Sequence, residues 1–154
     1  MNWILASGSP RRRELLEMLG VPNLTIRPAK GPERATPGAG PEQTVRELAL
    51  HKAQEVAQTC APEDIVIAAD TIVYLDGVIL GKPKDTAVRF RTLTPAEITR
   101  YIATGELMDK AGAYGIQGRG ALFVAHLDGD YFNVMGLPLC RLGQLLNELG
   151  VELL

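Results

Sequence analysis

The sequence predicts one domain of the α/β or α+β class. Its 154 residues, 46% of them apolar, are enough to bury a single hydrophobic core. Apolar runs of strand length alternate along the chain with stretches of helical periodicity. Neither an internal repeat nor a low-complexity tail interrupts this alternation, so no second domain is expected.

Short apolar runs and turn dipeptides predict the strands. Residues 64–69 (DIVIAA) form a continuous apolar run bounded by acidic residues, which is typical of a central strand buried on both faces. Asp-Gly pairs at 76–77 and 128–129 predict two β-hairpins. The predicted strands are residues 2–6, 23–28, 64–69, 72–74, 78–80, 121–127 and 131–135.

Capping residues predict the helices. Ser9 and Pro10 suit the start of one helix and Gly20 its end. Thr94 and Glu97 form a capping box around a proline at the first helical position. The predicted helices are residues 10–19, 41–59, 94–103 and 138–149, and the Pro- and Gly-rich residues 29–41 predict a loop long enough to have a function.

Composition excludes several classes of function. The net charge of −2 and a pI near 5.7 argue against a protein that coats nucleic acid or an anionic membrane, although a local basic cluster can still hold a small anion. No apolar run approaches the roughly 20 residues of a membrane span, and the basic residues 11–13 follow the first apolar stretch, the reverse of a signal peptide. Two distant cysteines and two histidines predict a cytoplasmic protein without a disulfide framework, zinc site or His-rich metal site.

The polar residues 7–13 (SGSPRRR) lie between a predicted strand and a predicted helix. Unpaired N–H groups at a helix start suit a phosphate, and two hydroxyls and three guanidinium groups add donors. The alternative is an ordinary capped helix with exposed basic residues, because no Walker sequence is present. Helical spacing predicts that Arg11 and Arg12 lean toward the core and that Arg13 faces solvent.

Three further polar features depart from the expected pattern. Lys52 falls in the apolar stripe of its helix, so its ammonium must reach solvent, pair with a carboxylate or meet an anionic ligand. Asp70 ends the most apolar strand, where ligands of α/β sheets gather, although such a residue equally often caps a turn. The glycines of residues 109–120 (DKAGAYGIQGRG) allow close approach to a ligand, or form a tight connection; their order does not match the dinucleotide fingerprint.

Together, several segments resemble the Maf family of nucleoside triphosphate pyrophosphatases. The matching segments follow the family order over nearly the whole chain. They are residues 5–12 (LASGSPRR), 48–49 with 52–53 (LA and KA), 69–71 (ADT), 81–83 (GKP), 109–118 (DKAGAYGIQG) and 136–139 (GLPL). The resemblance implies a central, mixed, elongated sheet flanked by helices, with a cleft at the carboxyl ends of its strands, as in the inosine triphosphate pyrophosphatases.

The resemblance also implies an activity and a set of site residues. Family members hydrolyse the α–β phosphoanhydride of nucleoside triphosphates with Mg²⁺ or Mn²⁺, and Asp70 matches their proton acceptor. Thr71 after that aspartate resembles the subgroup that acts on dTTP and UTP rather than on 7-methyl-GTP. Glu33 and Asp70 match metal-binding positions, although Pro32 replaces an acidic residue often found before Glu33. The residues expected to bind or select the substrate are Ser7, Arg11, Arg12, Lys52, Thr71, Lys82, Asp109, Lys110 and Gln117, and a homodimer is also implied.

These residues suit the implied chemistry. Arginine and lysine side chains from separate segments can offset the charge of a triphosphate. A divalent ion would lower the pKa of a bound water, whose proton Asp70 would accept. Thr71 and Gln117 offer donors and acceptors for the edge of uracil or thymine.

The chain departs from the family pattern between Asp85 and Thr86, where several dozen family residues have no counterpart. Either the chain has lost part of the sheet, or the protein contains a stretch that this sequence omits. A loss would expose apolar faces of the sheet that the missing residues normally cover. Each Å² of apolar surface left exposed would cost about 25 cal/mol of stability.

The main alternative function is a catalytically weak nucleotide-binding regulator of cell division. A pyrophosphatase that prefers inosine or xanthosine triphosphate comes next. A nucleic-acid-binding module is disfavoured, because the basic residues form no surface run with interleaved aromatics.

Overall fold

A three-stranded parallel sheet organises the domain. In this computed structural model, which describes residues 1–71, 74–75, 78–79, 86–110 and 112–153, the strands are β1 (Trp3–Leu5), β2 (Leu24–Ile26) and β3 (Ile65–Ile67) in the order β2-β1-β3. Trp3 pairs with Leu24 on one side and Ile65 on the other. Among the described strands β1 is therefore the central one. The expectation that residues 64–69 form a central strand is not met among the described strands, where β3 has β1 as its one neighbour.

Helices cover both faces of this sheet, because successive side chains of β1 point to opposite sides. Trp3 and Leu5 face a core completed by α1 (Pro10–Met18) and α5 (Leu139–Glu148). Ile4 faces the other side and packs with Val56 of α2 (Pro41–Ala57). This layering confirms the α/β class. None of the helices in the described part of the chain is long and apolar enough to cross a membrane.

The predicted helix boundaries are largely confirmed. Ser9 occupies the N-cap of α1 with Pro10 in its first turn, and Gly20 follows the helix with a φ of 71°. Helix α3 (Pro95–Ala103) begins with the complete capping box. The amide of Glu97 donates to Thr94 Oγ1, and the amide of Thr94 donates to Glu97 Oε2 at 2.9 Å.

The second predicted hairpin is wrong. Strand β7 (Val124–Asp128) pairs antiparallel with β6 (Ala87–Phe90), a strand that the sequence analysis did not assign. The predicted return strand is instead the short helix α4 (Tyr131–Met135), because the carboxylate of Asp130 caps it by accepting from the amide of Phe132 at 2.8 Å. The side chain of an aspartate here favours a helix start over a second strand.

The first predicted hairpin is confirmed in its pairing. Strand β4 (Tyr74–Leu75) runs antiparallel to β5 (Val78–Ile79), and the turn between them lies outside the described residues. The described strands form three separate hydrogen-bonded sheets, one parallel and two antiparallel, instead of one continuous mixed sheet. Residues 80–85, which precede β6, also lie outside the description.

Candidate active site

A cavity of about 1300 Å³ opens at the carboxyl ends of β1 and β3. Because these strands are parallel, the segments that follow them reach the same edge of the sheet. The cavity brings together eight of the predicted site residues, which come from separate segments of the chain: Ser7, Arg11, Arg12, Lys52, Thr71, Asp109, Lys110 and Gln117. Lys82 lies outside the described residues.

Arg12 connects three of the segments around the cavity. Its side chain is buried, with 5% of the residue exposed. Nε donates to the carbonyl of Gly136 at 2.8 Å, Nη1 to Ser7 Oγ at 2.9 Å and Nη2 to Thr71 Oγ1 at 2.8 Å. Burial lowers the pKa of the Arg12 guanidinium, the charge of Arg11 adds to this, and the charge of Asp70 opposes it. Arg12 thus fixes the positions of two hydroxyls at the cavity.

Gly136 allows this arrangement. Its φ of 120° lies in a region that residues with a Cβ rarely adopt. A Cβ there would lie at ordinary contact distance from Arg12 and Thr71, so the backbone conformation, and not a lack of space, favours glycine. The glycine therefore allows the backbone turn in which its carbonyl accepts from Arg12.

Asp109 holds two cations at the cavity. Its Oδ2 lies 2.6 Å from Arg11 Nη1, and its Oδ1 lies 2.7 Å from Lys110 Nζ. The hydrogen bond from Lys110, with the charges of both cations, lowers the pKa of Asp109. A carboxylate is a poor direct ligand for a triphosphate, so this geometry favours a positioning role for Asp109. The expectation that Arg11 leans inward and Arg13 outward is confirmed, since their side chains are 21% and 59% exposed.

Lys52 lies between two carboxylates. Its Nζ is 2.5 Å from Asp70 Oδ2 and 2.6 Å from Glu33 Oε1. Of the alternatives for a lysine in an apolar stripe, pairing with carboxylates is the one observed. Burial by itself lowers the pKa of Lys52, but its hydrogen bonds to Asp70 and Glu33 outweigh burial, and the pKa is raised.

Asp70 is held in one orientation. Only 1% of its side chain is exposed, and its Oδ1 accepts from the amide of Thr71 at 2.7 Å. It is not among the described residues that line the cavity, but Lys52 and Thr71, which contact it, both are. Its carboxylate therefore lies directly behind Lys52 and Thr71, which separate it from the space where a ligand would bind.

Glu33 and Asp70 offer the kind of oxygen that binds a divalent cation, and an ion bound between them would replace Lys52 at one or both carboxylates. Because both reach the same ammonium, oxygens of Glu33 and Asp70 lie within about 5 Å of each other. Carboxylate oxygens suit Mg²⁺ and Mn²⁺, and Mg²⁺ commonly takes one or two carboxylates together with water and substrate phosphates. The described residues contain no cluster of three or more acidic, histidine or cysteine ligands. The pair fits an ion whose coordination the substrate completes.

Glu106 organises the glycine-dense segment, and the sequence analysis missed it. Its carboxylate accepts from the hydroxyl of Tyr101 and the amide of Arg119, both at 2.9 Å. The Tyr101 hydroxyl in turn accepts from the amide of Gly115 at 2.9 Å. A Cβ at Gly118 would lie 2.7 Å from the carboxylate of Glu106. Gly118 thus admits a side chain of the protein itself, which agrees with the tight connection that was one of the two interpretations of this segment. Other residues of the same segment line the cavity, so the approach of a ligand stays open.

The fold and the site define a class of protein. A cationic cavity at the carboxyl ends of parallel strands, beside a buried carboxylate, is typical of α/β proteins that bind phosphorylated small molecules. The chain belongs to the Maf family, whose model, described as "Maf-like protein", matches residues 2–88 and 84–149.

Several curated proteins are similar to this chain over nearly its whole length. A protein of Moorella thermoacetica is 43% identical over 187 aligned positions, which cover 97% of this chain and 95% of the relative. Proteins of Bacillus pumilus and Clostridioides difficile are each 41% identical over 96% of this chain, covering 96% and 95% of their own lengths. All three are named dTTP/UTP pyrophosphatase.

The alignments are longer than the chain itself. The match to the Moorella protein spans 187 positions, whereas this chain has 154 residues, so the alignment contains an extensive gap. The two stretches that match the family model meet at residues 84–88. The second observation agrees with a departure from the family pattern near Asp85 and Thr86, and whether residues are lost or omitted there stays open.

Proposed function

We propose that this protein hydrolyses dTTP and UTP to the nucleoside monophosphate and pyrophosphate. The observation that carries the proposal is the convergence of Arg11, Lys52 and Lys110 on one cavity beside the buried carboxylate of Asp70. The names of the Maf relatives support the choice of substrates. A cavity of about 1300 Å³ has room for a nucleoside triphosphate.

The cations bind the triphosphate in this proposal. Arg11 and Lys110 line the cavity with their charges held in place by Asp109. Ser7 Oγ, which accepts from Arg12, keeps its own proton to donate to a phosphate oxygen. The charge that builds up on the transferring and leaving oxygens is offset by these groups, which need no rearrangement during the reaction. Lys82, outside the described residues, is proposed as a further substrate-binding cation.

Asp70 is the proposed proton acceptor. Water attacks a phosphorus atom of the α–β phosphoanhydride, the bond from phosphorus to the bridging oxygen breaks, and Asp70 takes a proton from the attacking water. Lys52 and the amide of Thr71 each hold one oxygen of its carboxylate, which fixes its orientation. Mg²⁺ or Mn²⁺, when bound by Glu33 and Asp70, would neutralise phosphate charge and lower the pKa of a bound water.

Base selection is assigned to Arg11, Thr71 and Gln117. Thr71 Oγ1 accepts from Arg12, so its hydroxyl proton remains available for an acceptor on the base. Gln117 is exposed at the cavity, and its amide offers both a donor and an acceptor. This combination matches the alternating acceptor, donor and acceptor on the edge of uracil and thymine.

A substrate screen tests the proposal. Pyrophosphate release is measured from dTTP, UTP, ITP, XTP and 7-methyl-GTP, with Mg²⁺ and with Mn²⁺. Preferential release from dTTP and UTP is expected, whereas preference for ITP or XTP would assign the protein to the inosine-triphosphate type. Binding of UTP without release of pyrophosphate would favour the catalytically weak regulator.

An Asp70→Asn variant tests the mechanism. Loss of a general base typically lowers turnover by about 10²–10⁴-fold. Asp64→Asn is the matched control, because Asp64 precedes the same strand at its other end and bonds to Asn2, away from the cavity. Unchanged turnover in Asp70→Asn would remove Asp70 from the mechanism.

Three further features belong to the proposal. The family resemblance supports a homodimer, which light scattering of the purified protein tests. Both cysteines are free, consistent with a cytoplasmic location. An intact mass of 16.6 kDa for the natural protein would establish that the loss after Asp85 is real.

A further inference from the structure

One wall of the cavity is apolar and aromatic. We call the side chains of Val88, Phe90, Tyr114 and Ile116 the aromatic wall; all four line the cavity. Val88 and Phe90 both come from β6, whose pairing with β7 shifts register between Arg89 and Phe90. Tyr114 and Ile116 come from the glycine-dense segment, just before Gln117.

Phe90 is exposed within this wall. It is 43% exposed, although phenylalanine is usually buried. Its ring contacts Tyr114 edge-to-face, with centroids 4.8 Å apart and an interplanar angle of 87°. A second aromatic contact, with the buried Phe123, has centroids 6.4 Å apart and an angle of 71°. The ring is therefore oriented by two neighbours while much of its surface stays accessible.

The cavity thus combines two chemically different regions. Arg11, Lys52 and Lys110 supply positive charge, and the aromatic wall supplies an accessible ring. A nucleoside triphosphate carries the complementary pair of groups, an anionic polyphosphate and a flat base with a π face. An oriented aromatic ring is a typical platform for a base, because stacking costs little side-chain entropy.

We propose that Phe90 stacks against the base of the bound nucleotide. The inference rests on the proposed function and adds to it a binding residue on a strand that the sequence analysis left unassigned. Every base has a π face, so stacking on Phe90 contributes affinity without distinguishing uracil from other bases. Selection of the base is left to the hydrogen-bonding groups of Arg11, Thr71 and Gln117.

The test compares two ligands in two variants. Phe90→Leu removes the ring and keeps an apolar side chain, and the control Tyr131→Leu removes a similarly exposed ring that is not among the residues lining the cavity. Dissociation constants are measured by calorimetry for the α,β-methylene analogue of UTP, which cannot be cleaved at the α–β bond, and for inorganic tripolyphosphate, which has no base. Because Phe90 is far from fully buried, Phe90→Leu is expected to fold, and circular dichroism checks this.

Phe90→Leu is expected to weaken binding of the UTP analogue by about 5- to 100-fold and to leave binding of tripolyphosphate unchanged. Tyr131→Leu is expected to bind both ligands as the parent protein does. Equal weakening of both ligands, or no weakening of either, would overturn the stacking role. If the parent protein binds neither ligand, the proposed function itself fails. If the parent protein binds the UTP analogue but no more tightly than Phe90→Leu does, only the stacking role fails.

Discussion

Lys52 of α2 and Asp70, three residues beyond β3, form an ion pair with an N–O distance of 2.5 Å, and the side chain of Asp70 is 1% exposed. The pair joins a helix to the carboxyl end of a strand, where the site lies. A charge buried to this degree is tolerated when it has a partner, so each member constrains the position of the other.

Replacing Lys52 by methionine is expected to destabilise the fold by about 1.5–3 kcal/mol, because the buried carboxylate of Asp70 loses its charged hydrogen bond from Lys52. The double variant Lys52→Met/Asp70→Asn removes both charges and is expected to be more stable than Lys52→Met alone. Urea unfolding of the parent, both single variants and the double variant measures the coupling. Additive effects of the two substitutions would show that the pair does not contribute to stability.

The three hydrogen bonds of Arg12 require a guanidinium, so we expect lysine to be a poor replacement at position 12. Lysine at this position cannot donate to Ser7, Thr71 and the carbonyl of Gly136 at once, because its three donors share one nitrogen. Arg12→Lys is expected to cost about 2–4 kcal/mol, since at least one buried acceptor loses a charged donor. Chemical unfolding measures the loss. Arg13→Lys is the matched control, because Arg13 is exposed and bonds only to the neighbouring Glu17 among the described contacts, and an equal loss in both variants would contradict the role of Arg12.

Asp109 is predicted to act through the cations that it holds. If it positions Arg11 and Lys110, Asp109→Asn should weaken binding of UTP by about fivefold, the equivalent of about 1 kcal/mol. If it instead only repels the phosphates, removing its charge should tighten binding. The KM for UTP and the dissociation constant of the uncleavable analogue distinguish the two results. Asp128→Asn provides a control, because Asp128 is an exposed aspartate that also lines the cavity.

Strands and helices with strong local signals were predictable from the sequence. The capping box at Thr94 determined where α3 begins, and the position of Asp70 after an apolar strand predicted that it lies where ligands of α/β sheets gather. The family resemblance supplied the remaining site residues, and eight of the predicted residues line one cavity. Each of these features depends on a few neighbouring residues or on a motif.

Features that depend on distant contacts were not predictable. Strand β6 gains its partner β7 from a segment about 40 residues away, and nothing local in residues 86–90 indicates that pairing. The helix at Tyr131–Met135 was mistaken for a strand because the Asp-Gly pair outweighed the cap at Asp130. The role of Glu106 depends on folding of the chain back onto Arg119 and Gly120, which a single sequence does not reveal.

Tyr101 is expected to contribute both to the stability of the fold and to the binding of UTP, because it holds Gly115 of the segment that lines the cavity. Tyr101→Phe leaves the buried amide of Gly115 without its acceptor and is expected to cost about 1–3 kcal/mol. Because the same segment carries Lys110 and Gln117, the KM for UTP is expected to rise more than kcat falls. Urea unfolding and steady-state kinetics measure the two effects. Tyr131→Phe, at an exposed tyrosine, is the control, and a variant of Tyr101 that behaves like it would contradict the link.

The lowered pKa of Glu97 is expected to make the stability of the fold fall with pH in the acid range. Its hydrogen bond from Arg91, followed by those from Thr94, lowers the pKa of its carboxyl from 4.5 to about 2. The unfolded chain therefore takes up this proton at a higher pH than the folded chain does. The carboxylate stabilises the fold fully above pH 4.5, and this contribution is lost as the pH falls toward 2.

Glu97→Gln removes that titration and weakens the capping box at the start of α3. The stability difference between the parent and this variant, measured from urea midpoints across the acid range, is expected to be constant above pH 4.5 and to shrink below it. Glu14→Gln, at an exposed glutamate of α1, controls for general effects of removing a charge. A difference for Glu97→Gln that does not change with pH would mean that the charge of Glu97 is not what stabilises the helix start, and that the neutral hydrogen bonds of the capping box are sufficient.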